Sequence, residues 1–177
     1  VALSRQGWPI FSEVFPGNTS DLKITAPVVD ALVGRFGIRR VVLVCDRGMV
    51  SAANLAALEA AGHQYIVGVK MRNLVEVRDE ALGRAGRYHE VDAKLEVKEV
   101  HIDDRRYVIC YNRDEARKDE HDREAIVASL REKLQAGEKA LVGNKGYRRY
   151  RRSTGPDHFQ IDEAKIQEEA RYDGKWV

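Results

Sequence analysis

The chain has 177 residues, a length typical of one good-sized domain or of a domain with an attached lobe. Its 30 basic and 28 acidic side chains nearly balance, which excludes a histone-like or strongly acidic binder, so any contact with nucleic acid must come from a local patch. The longest purely apolar run, Val41 to Cys45, is far too short to span a bilayer, and no apolar stretch at the start of the given sequence resembles a signal peptide. We therefore expect a soluble, cytoplasmic chain without membrane contact. Cys45 and Cys110 stand singly in apolar runs, which predicts two reduced, buried thiols rather than a disulfide or a zinc site.

The density of charge changes near Lys70. Residues 1–69 contain 6 basic and 5 acidic side chains, whereas residues 70–177 contain 24 and 23. A sparsely charged segment fits a layered α/β core, and a densely charged one must keep most of its side chains in solvent. We therefore expect a partial α/β core over 1–69 and a charged α+β lobe over 70–177. The missing initiator Met and the strand-like run at 175–177 lead us to expect a fragment cut at both ends.

The first part predicts alternating strands and helices, in the order strand 8–15, helix 25–36, strand 40–45, helix 51–61 and strand 64–69. Thr25 is the predicted N-cap of the first helix, and Gly37 ends it. Ser51 is the predicted N-cap of the second helix. The apolar runs at 40–45 and 64–69 are typical of parallel strands buried on both faces. We expect these two strands to pair in one sheet of at least three strands, with 8–15 as another member.

The second part predicts a short helix, a hairpin, a long helix, a basic loop or strand, a last helix and a closing strand, at 73–82, 95–101 with 105–112, 114–136, 145–152, 163–170 and 175–177. Gly137 is expected to end the long helix, and Asp162 to cap the last one. The sequence contains no internal repeat.

Asp46 is the most informative position because it follows an apolar strand directly. In parallel α/β sheets, ligands and catalytic groups gather beyond the carboxyl ends of strands. Asp46 is therefore a candidate catalytic or metal-binding residue. A structural role stays open, since this carboxylate could instead cap the helix near Ser51 or pair with Arg47.

A basic stretch in the second part is the candidate DNA-binding element. From Lys139 to Pro156 there are six cations and no acid, and the five that interleave with Tyr147 and Tyr150 are Lys145, Arg148, Arg149, Arg151 and Arg152. Such a stretch can neutralise phosphates largely without reading sequence, while the tyrosines stack or hydrogen-bond. The alternatives are a solvated cationic turn or an interface to acidic residues elsewhere in the chain.

The remaining polar residues give less specific predictions of function. The polar cluster at 18–21 either caps a helix or lies near a DNA end. The five histidines show no metal-ligand spacing, so we expect them to be structural or on the surface.

Several short segments carry a resemblance when they are taken together in order and spacing. They are PGNTSD at 16–21, VCDRGMVS at 44–51 with Asn54, YIVGV at 65–69, CYN at 110–112 with Glu115 and Ala116, LVGNKGYRRY at 141–150 and YDGKW at 172–176. The series resembles bacterial insertion-sequence transposases of the DDE type over nearly the whole chain.

The resemblance implies an RNase H-like core, a mixed sheet with flanking helices, that cleaves transposon ends and transfers the strand to target DNA. Two Asp and one Glu would hold two Mg²⁺ ions, and a homodimer would form the complete complex with DNA. Asp46 corresponds to the second Asp of this triad. The first Asp would lie on a strand before 8–15 and the Glu on a helix after a β-rich insertion, which 70–177 would form. The sequence has no match to either, so we expect the fragment alone to be inactive.

Two other classes of function stay open at this point. One is a non-catalytic remnant that binds DNA or protein. The other is an unrelated α/β phosphotransferase, in which Lys70 would be the partner of Asp46.

Overall fold

The computed structural model describes residues 1–20, 23–49, 51–137, 141–142, 144–156 and 158–177. Asp21 of the polar cluster, Lys139 of the basic stretch and the motif residues Val50 and Gly143 lie outside the described residues. The chain is a mixed α/β protein with several small sheets, and it forms two compact units, Val1–Lys70 and Met71–Val177.

Within its described residues, the first unit contains two pairs of strands and two helices, namely β1 (Ala2–Leu3), β2 (Pro9–Phe11), α1 (Thr25–Phe36), β3 (Val42–Cys45), α2 (Ala52–Ala60) and β4 (Gln64–Val67). Strands β3 and β4 pair in parallel, with Val42 opposite Gln64 and Cys45 opposite Val67. Helix α2 connects them, so they form a β–α–β unit. The predicted parallel pair and both helices are confirmed.

The expected three-stranded sheet is wrong. Strand β2 is shorter than predicted and pairs antiparallel with β1, in a sheet separate from β3 and β4. A tight connection favours this pairing, because the Gly7 backbone N–H donates to Ser4 O over 2.9 Å and Gly7 adopts φ 85°. Pairing across so few residues costs little chain entropy, unlike pairing with β3 about thirty residues away.

The expectation that β3 and β4 are buried on both faces is also wrong. Burial alternates along each strand, and the outward-facing Val42, Val44 and Ile66 are 55%, 72% and 66% exposed. The buried apolar side chains of this unit come from α1 and α2, namely Val29, Leu32, Leu55 and Leu58. The helices therefore cover one face of this sheet and leave the other open.

Helix ends follow their local sequence with one exception. Gly37 adopts φ 64° at the end of α1, and the Ser51 hydroxyl accepts a hydrogen bond from the Asn54 backbone N–H at the start of α2, as predicted. The prediction that Thr25 is the N-cap of α1 is wrong. The Thr25 hydroxyl instead donates to Met49 O over 3.3 Å, so a tertiary contact replaces the local cap.

The second unit is built on a four-stranded antiparallel sheet in the order β10–β7–β6–β5. Its elements are a π-helical turn (Glu76–Ala81), β5 (His89–Glu90), β6 (Leu95–Ile102), β7 (Arg105–Asn112), α3 (Arg113–Ala136), β8 (Arg151–Gly155), β9 (His158–Ile161), α4 (Glu163–Ala170) and β10 (Lys175–Trp176). The predicted hairpin, long helix, last helix and closing strand are confirmed. Asp162 caps α4 by accepting a hydrogen bond from the Lys165 backbone N–H over 3.0 Å.

A second hairpin, β8–β9, was missed by the sequence prediction. Its alternation is hidden because the basic run at 151–152 and the turn-forming pair Gly155–Pro156 dominate the segment. Strand β9 packs on α3 and belongs to a core centred on Val127, Leu130, Leu141 and Tyr150. The buried position of Tyr150 removes it from the tyrosines expected to contact DNA.

In the described residues, none of the helices combines the length and the apolar character that crossing a membrane requires.

Candidate functional site

Asp46 lies where the sequence places it, directly after β3 and at the carboxyl edge of the parallel β3–β4 pair. A hydrogen bond from the Gly68 backbone N–H to Cys45 O over 3.2 Å holds the ends of β3 and β4 close together. Loops at this edge of a parallel sheet are free of packing duty. The fold therefore presents the Asp46 side chain at an edge where α/β proteins hold ligands.

The turn that carries Asp46 is held by backbone contacts. The Met49 N–H donates to Asp46 O over 3.0 Å, and Met49 O accepts the hydroxyl of the buried Thr25. The Asp46 carboxylate accepts a hydrogen bond from the Arg47 backbone N–H over 2.6 Å and is otherwise exposed. The cap of α2 is Ser51, so the helix-capping alternative for Asp46 is wrong. The held turn and the exposed carboxylate together leave oxygen lone pairs available for a ligand.

The acidic side chain that directly follows β3 at this edge is that of Asp46. Over the ranges that the structure describes, no three His, Cys, Asp or Glu side chains converge in a way that could hold a metal ion. The oxygen of Asp46 is a hard ligand of the kind Mg²⁺ prefers, but tight binding of a divalent ion needs several such ligands. The described residues therefore fit one ligand of a metal site and do not form a complete one.

The two cysteines are free thiols, as predicted, but both are half-buried and not buried as expected. Burial raises the pKa of the Cys45 thiol and that of Cys110, so both are protonated at neutral pH. Because the thiolate is the reactive form, neither thiol is an activated nucleophile.

The five basic residues of the stretch at 145–152 differ in what they contact. Lys145 and Arg148 are exposed on a series of turns and make no ion pair with any described residue. Arg152 is exposed at the start of β8 and donates to the Gln160 side-chain oxygen across the hairpin over 3.3 Å. These three cations therefore keep most of their hydrogen-bonding capacity for a ligand.

Arg151 and Arg149 are engaged within the protein. The Arg151 guanidinium donates to the backbone oxygens of Leu141 and Asn144 and lies 4.1 Å from the centre of the Phe159 ring. It joins the basic turns to the β8–β9 hairpin. Arg149 lies 3.7 Å from a carboxylate oxygen of Glu169, so the expected alternative of an acidic partner applies to this residue.

The Tyr172–Asp173–Gly174 segment has a structural role. The Asp173 carboxylate pairs with the largely buried Arg123 of α3, and the Gly174 N–H donates to the Asp119 carboxylate over 2.9 Å. Gly174 adopts φ 62°, and a β-carbon there would lie 2.3 Å from the backbone oxygen of Asn112. Only glycine fits this close approach, which leads the chain from α4 into β10.

Two residues near the basic stretch were missed by the sequence prediction. Arg72 and Glu169 form an ion pair with an N–O distance of 2.8 Å, although they are 97 residues apart in sequence. No local pattern connects them. A glutamate among the acids of an amphipathic helix is expected to be exposed to solvent, yet the Glu169 side chain is only 4% exposed.

A family model described as the Transposase DDE domain matches residues 2–120, which is more than half of the chain. The chain therefore belongs to the DDE transposases, and the resemblance inferred from its motifs is confirmed. Neither the search of curated proteins nor that of solved structures gave a match. Transposases of this family act on DNA as nucleases and strand transferases and generally use a divalent metal ion, so the protein to which this chain belongs is an enzyme.

Proposed function

We propose that the protein cleaves the ends of an insertion sequence and joins the released strand to target DNA, with Asp46 as one of its metal-binding catalytic carboxylates. The observation that carries the proposal is the exposed Asp46 carboxylate at the carboxyl end of a parallel β–α–β unit, within the residues that match the family. This place in the fold is where α/β proteins bind ligands.

The metal would be a pair of Mg²⁺ ions. Two such ions about 3.5–4 Å apart stabilise the attacking and leaving oxygens of an in-line displacement at phosphorus. Asp46 would supply one hard oxygen ligand, and an Asp and a Glu outside the described residues would supply the others. The hydrogen bond from the Thr25 hydroxyl to Met49 O would tie the turn that carries Asp46 to α1.

An open groove in the first unit supports an RNase H-like sheet. The groove has a volume of about 320 Å³, and residues of β1 and β3 line it together with Val28 and Leu32 of α1. It adjoins the exposed apolar face of β3. We propose that a strand carrying the first Asp occupies this groove and places its carboxylate beside Asp46.

The second unit would contact DNA through Lys145, Arg148 and Arg152, with Arg149 beside them. Their exposed positions on turns and at the end of a hairpin suit contact with phosphates, which gives affinity without base recognition. Arg151 would hold this surface in shape through its backbone contacts. Two copies of the protein would bring two DNA ends together as a homodimer.

Family membership favours this function over an unrelated phosphotransferase that uses Asp46 and Lys70. A non-catalytic remnant is the remaining alternative, and the activity of the intact protein separates it from the transposase.

The test of Asp46 is the Asp46→Asn variant of the intact protein. The asparagine oxygen can still accept the hydrogen bond from Arg47 N–H, so we expect an unchanged melting temperature and a loss of Mg²⁺-dependent cleavage of a labelled transposon end. Asp30→Asn is the matched control, because Asp30 is an exposed acid on α1 of the same unit. Cleavage by Asp46→Asn at the wild-type rate would refute the proposed role.

The 177-residue chain by itself is expected neither to cleave nor to join DNA. One carboxylate cannot hold two Mg²⁺ ions in the required geometry, so at best one ion binds weakly near Asp46. The measurement is nicking of a labelled duplex with and without Mg²⁺. Nicking that requires the metal and disappears in Asp46→Asn would show that the chain contains a complete site.

The basic stretch is tested by replacing Lys145, Arg148 and Arg152 together with alanine in the intact protein. Each lost phosphate contact should lower the slope of log affinity against log salt concentration by ~0.9 for duplex DNA. The loss should be alike for transposon-end and random duplexes, since phosphate contacts carry no sequence information. Fluorescence anisotropy over a salt series measures both quantities, and an unchanged slope with unchanged affinity would remove these residues from the DNA path.

A further inference from the structure

Glu169 occupies a position that is unfavourable for an isolated carboxylate. It lies in the last turn of α4, where the helix dipole disfavours negative charge, and its side chain is only 4% exposed. A buried charge is tolerated only when it is paired and hydrogen-bonded. The Glu169 carboxylate therefore depends on the cations around it.

Three cations surround this carboxylate, namely Arg72, Arg149 and Lys165. Together with Glu169 they form the Glu169 cluster. Arg72 Nε donates to one oxygen of Glu169 over 2.9 Å, and Arg72 Nη2 lies 2.8 Å from the same oxygen. Arg149 Nη1 lies 3.7 Å from the same oxygen, and Lys165 Nζ lies 3.8 Å from the other. The two guanidinium groups are therefore neighbours, although they come from segments 77 positions apart in the chain.

The Arg72 side chain is held on its flat face as well as at its edge. Its guanidinium carbon lies 4.5 Å from the ring centre of Tyr172, which is itself 3% exposed. A guanidinium that is stacked on an aromatic ring and both hydrogen-bonded and ion-paired at its edge has lost most of its rotational freedom before any ligand arrives.

The charges in the Glu169 cluster do not cancel. Lys165 is closer to Glu168, at 2.7 Å, than to Glu169, so the single buried carboxylate serves two arginines. Arg72 and Arg149 remain 44% and 56% exposed, while the acid between them is hidden from solvent. The cluster therefore exposes two adjacent guanidinium groups to solvent. Their unused N–H donors suit the oxygens of a phosphate.

We propose that Glu169 is a positioning residue that holds Arg72 and Arg149 side by side as a contact for the DNA backbone. This inference rests on the proposed function of the basic stretch and extends its surface to Arg72, which lies near the start of the second unit. The Glu169 cluster binds phosphate groups without reading bases, and its affinity comes from the ordered state of the two arginines.

The first experiment measures the affinity of the intact protein for a labelled random-sequence duplex over a salt series. Arg72→Ala and Arg149→Ala should each lower the salt slope by ~0.9. Arg106→Ala is the matched control, because Arg106 is 59% exposed but paired with an exposed acid, Glu99, and its slope should equal that of the wild type. Arg149→Ala leaves the close Arg72–Glu169 pair intact, so it decides the question even if Arg72→Ala fails to fold.

The second experiment uses Glu169→Gln, which distinguishes positioning from simple electrostatics. The substitution makes the protein more positive by one charge, which by itself strengthens binding to DNA. A positioning role predicts the reverse, an affinity about five-fold or more lower, because the two arginines must then be ordered on binding. Unchanged or tighter binding by Glu169→Gln, with only a lower melting temperature, would show that the cluster merely stabilises the fold.

The outcomes separate this inference from the proposed function. A lowered slope in the triple variant of Lys145, Arg148 and Arg152, together with wild-type slopes for Arg72→Ala and Arg149→Ala, would overturn the inference and leave the proposed DNA contact standing. A wild-type slope in the triple variant would overturn the proposed contact of those three residues instead.

Discussion

The two units of this chain reach stability in different ways. The four large side chains that are fully buried, Ile109, Leu130, Leu141 and Val77, all belong to the second unit among the described residues. The first unit has far fewer charges per residue, yet it leaves Val42, Val44 and Ile66 largely exposed on one sheet face. The sparsely charged unit is therefore the one whose apolar surface is less completely covered.

Low charge density is therefore not evidence of a complete core. Exposed apolar area costs roughly 25 cal/mol per Å² relative to burial, so a sheet face such as that of β3 and β4 favours a covering element. The second unit, by contrast, satisfies its many charges through partners within the described structure, such as Arg123 with Asp173 and Arg72 with Glu169. Substitutions at matched positions in the two units test this difference in apolar coverage.

The largest effect is expected from glycines in the left-handed conformation. Gly174→Ala in the second unit places a β-carbon against rigid backbone and should lower the free energy of unfolding by about 4 kcal/mol, from overpacking and backbone strain together. Gly37→Ala in the first unit has a similar φ but no atom within 4 Å, so only about 1 kcal/mol is expected. Urea denaturation followed by circular dichroism measures both, and equal losses would contradict the difference in packing.

A smaller effect is expected from truncation of an apolar side chain in each unit. Leu130→Ala in the core of the second unit should cost about 3 kcal/mol, since the side chain is fully buried between α3 and its neighbours. Val44→Ala in the first unit should cost at most about 0.5 kcal/mol because Val44 is 72% exposed. A large loss from Val44→Ala would mean that this face is already covered in the chain as it stands.

The smallest effect is a pH dependence confined to the second unit. Burial and a hydrogen bond with Glu76 raise the pKa of Tyr107 from its ordinary value of 10.0 to about 12. The unfolded state therefore loses this proton first, so the contribution of Tyr107 is present below pH 10 and is lost as the pH rises toward about 12. Melting temperatures between pH 9 and 11 should fall more steeply for the wild type than for Tyr107→Phe, and identical slopes would contradict the assignment.

Features that depend on neighbouring residues could be predicted from the sequence. The parallel pair β3–β4, the hairpin β6–β7 and the long helix α3 follow from local patterns of apolar residues, and Ser51, Asp162 and Gly37 act at helix ends as expected. The family was also readable from ordered short motifs. The position of Asp46 after β3 follows for the same reason, because a strand and the residue after it are local in sequence.

Contacts between residues far apart in the chain could not be predicted from the sequence and are seen in the folded structure. Thr25 leaves its expected cap to contact Met49, β2 pairs with β1, and Tyr150 enters the core. The basic stretch looked uniform in sequence, yet Arg151 holds backbone oxygens, Arg149 meets Glu169 and Arg148 faces solvent. A side chain's charge is fixed by its chemical type, but its partner depends on the free energy of packing distant segments together, and no local pattern contains that information.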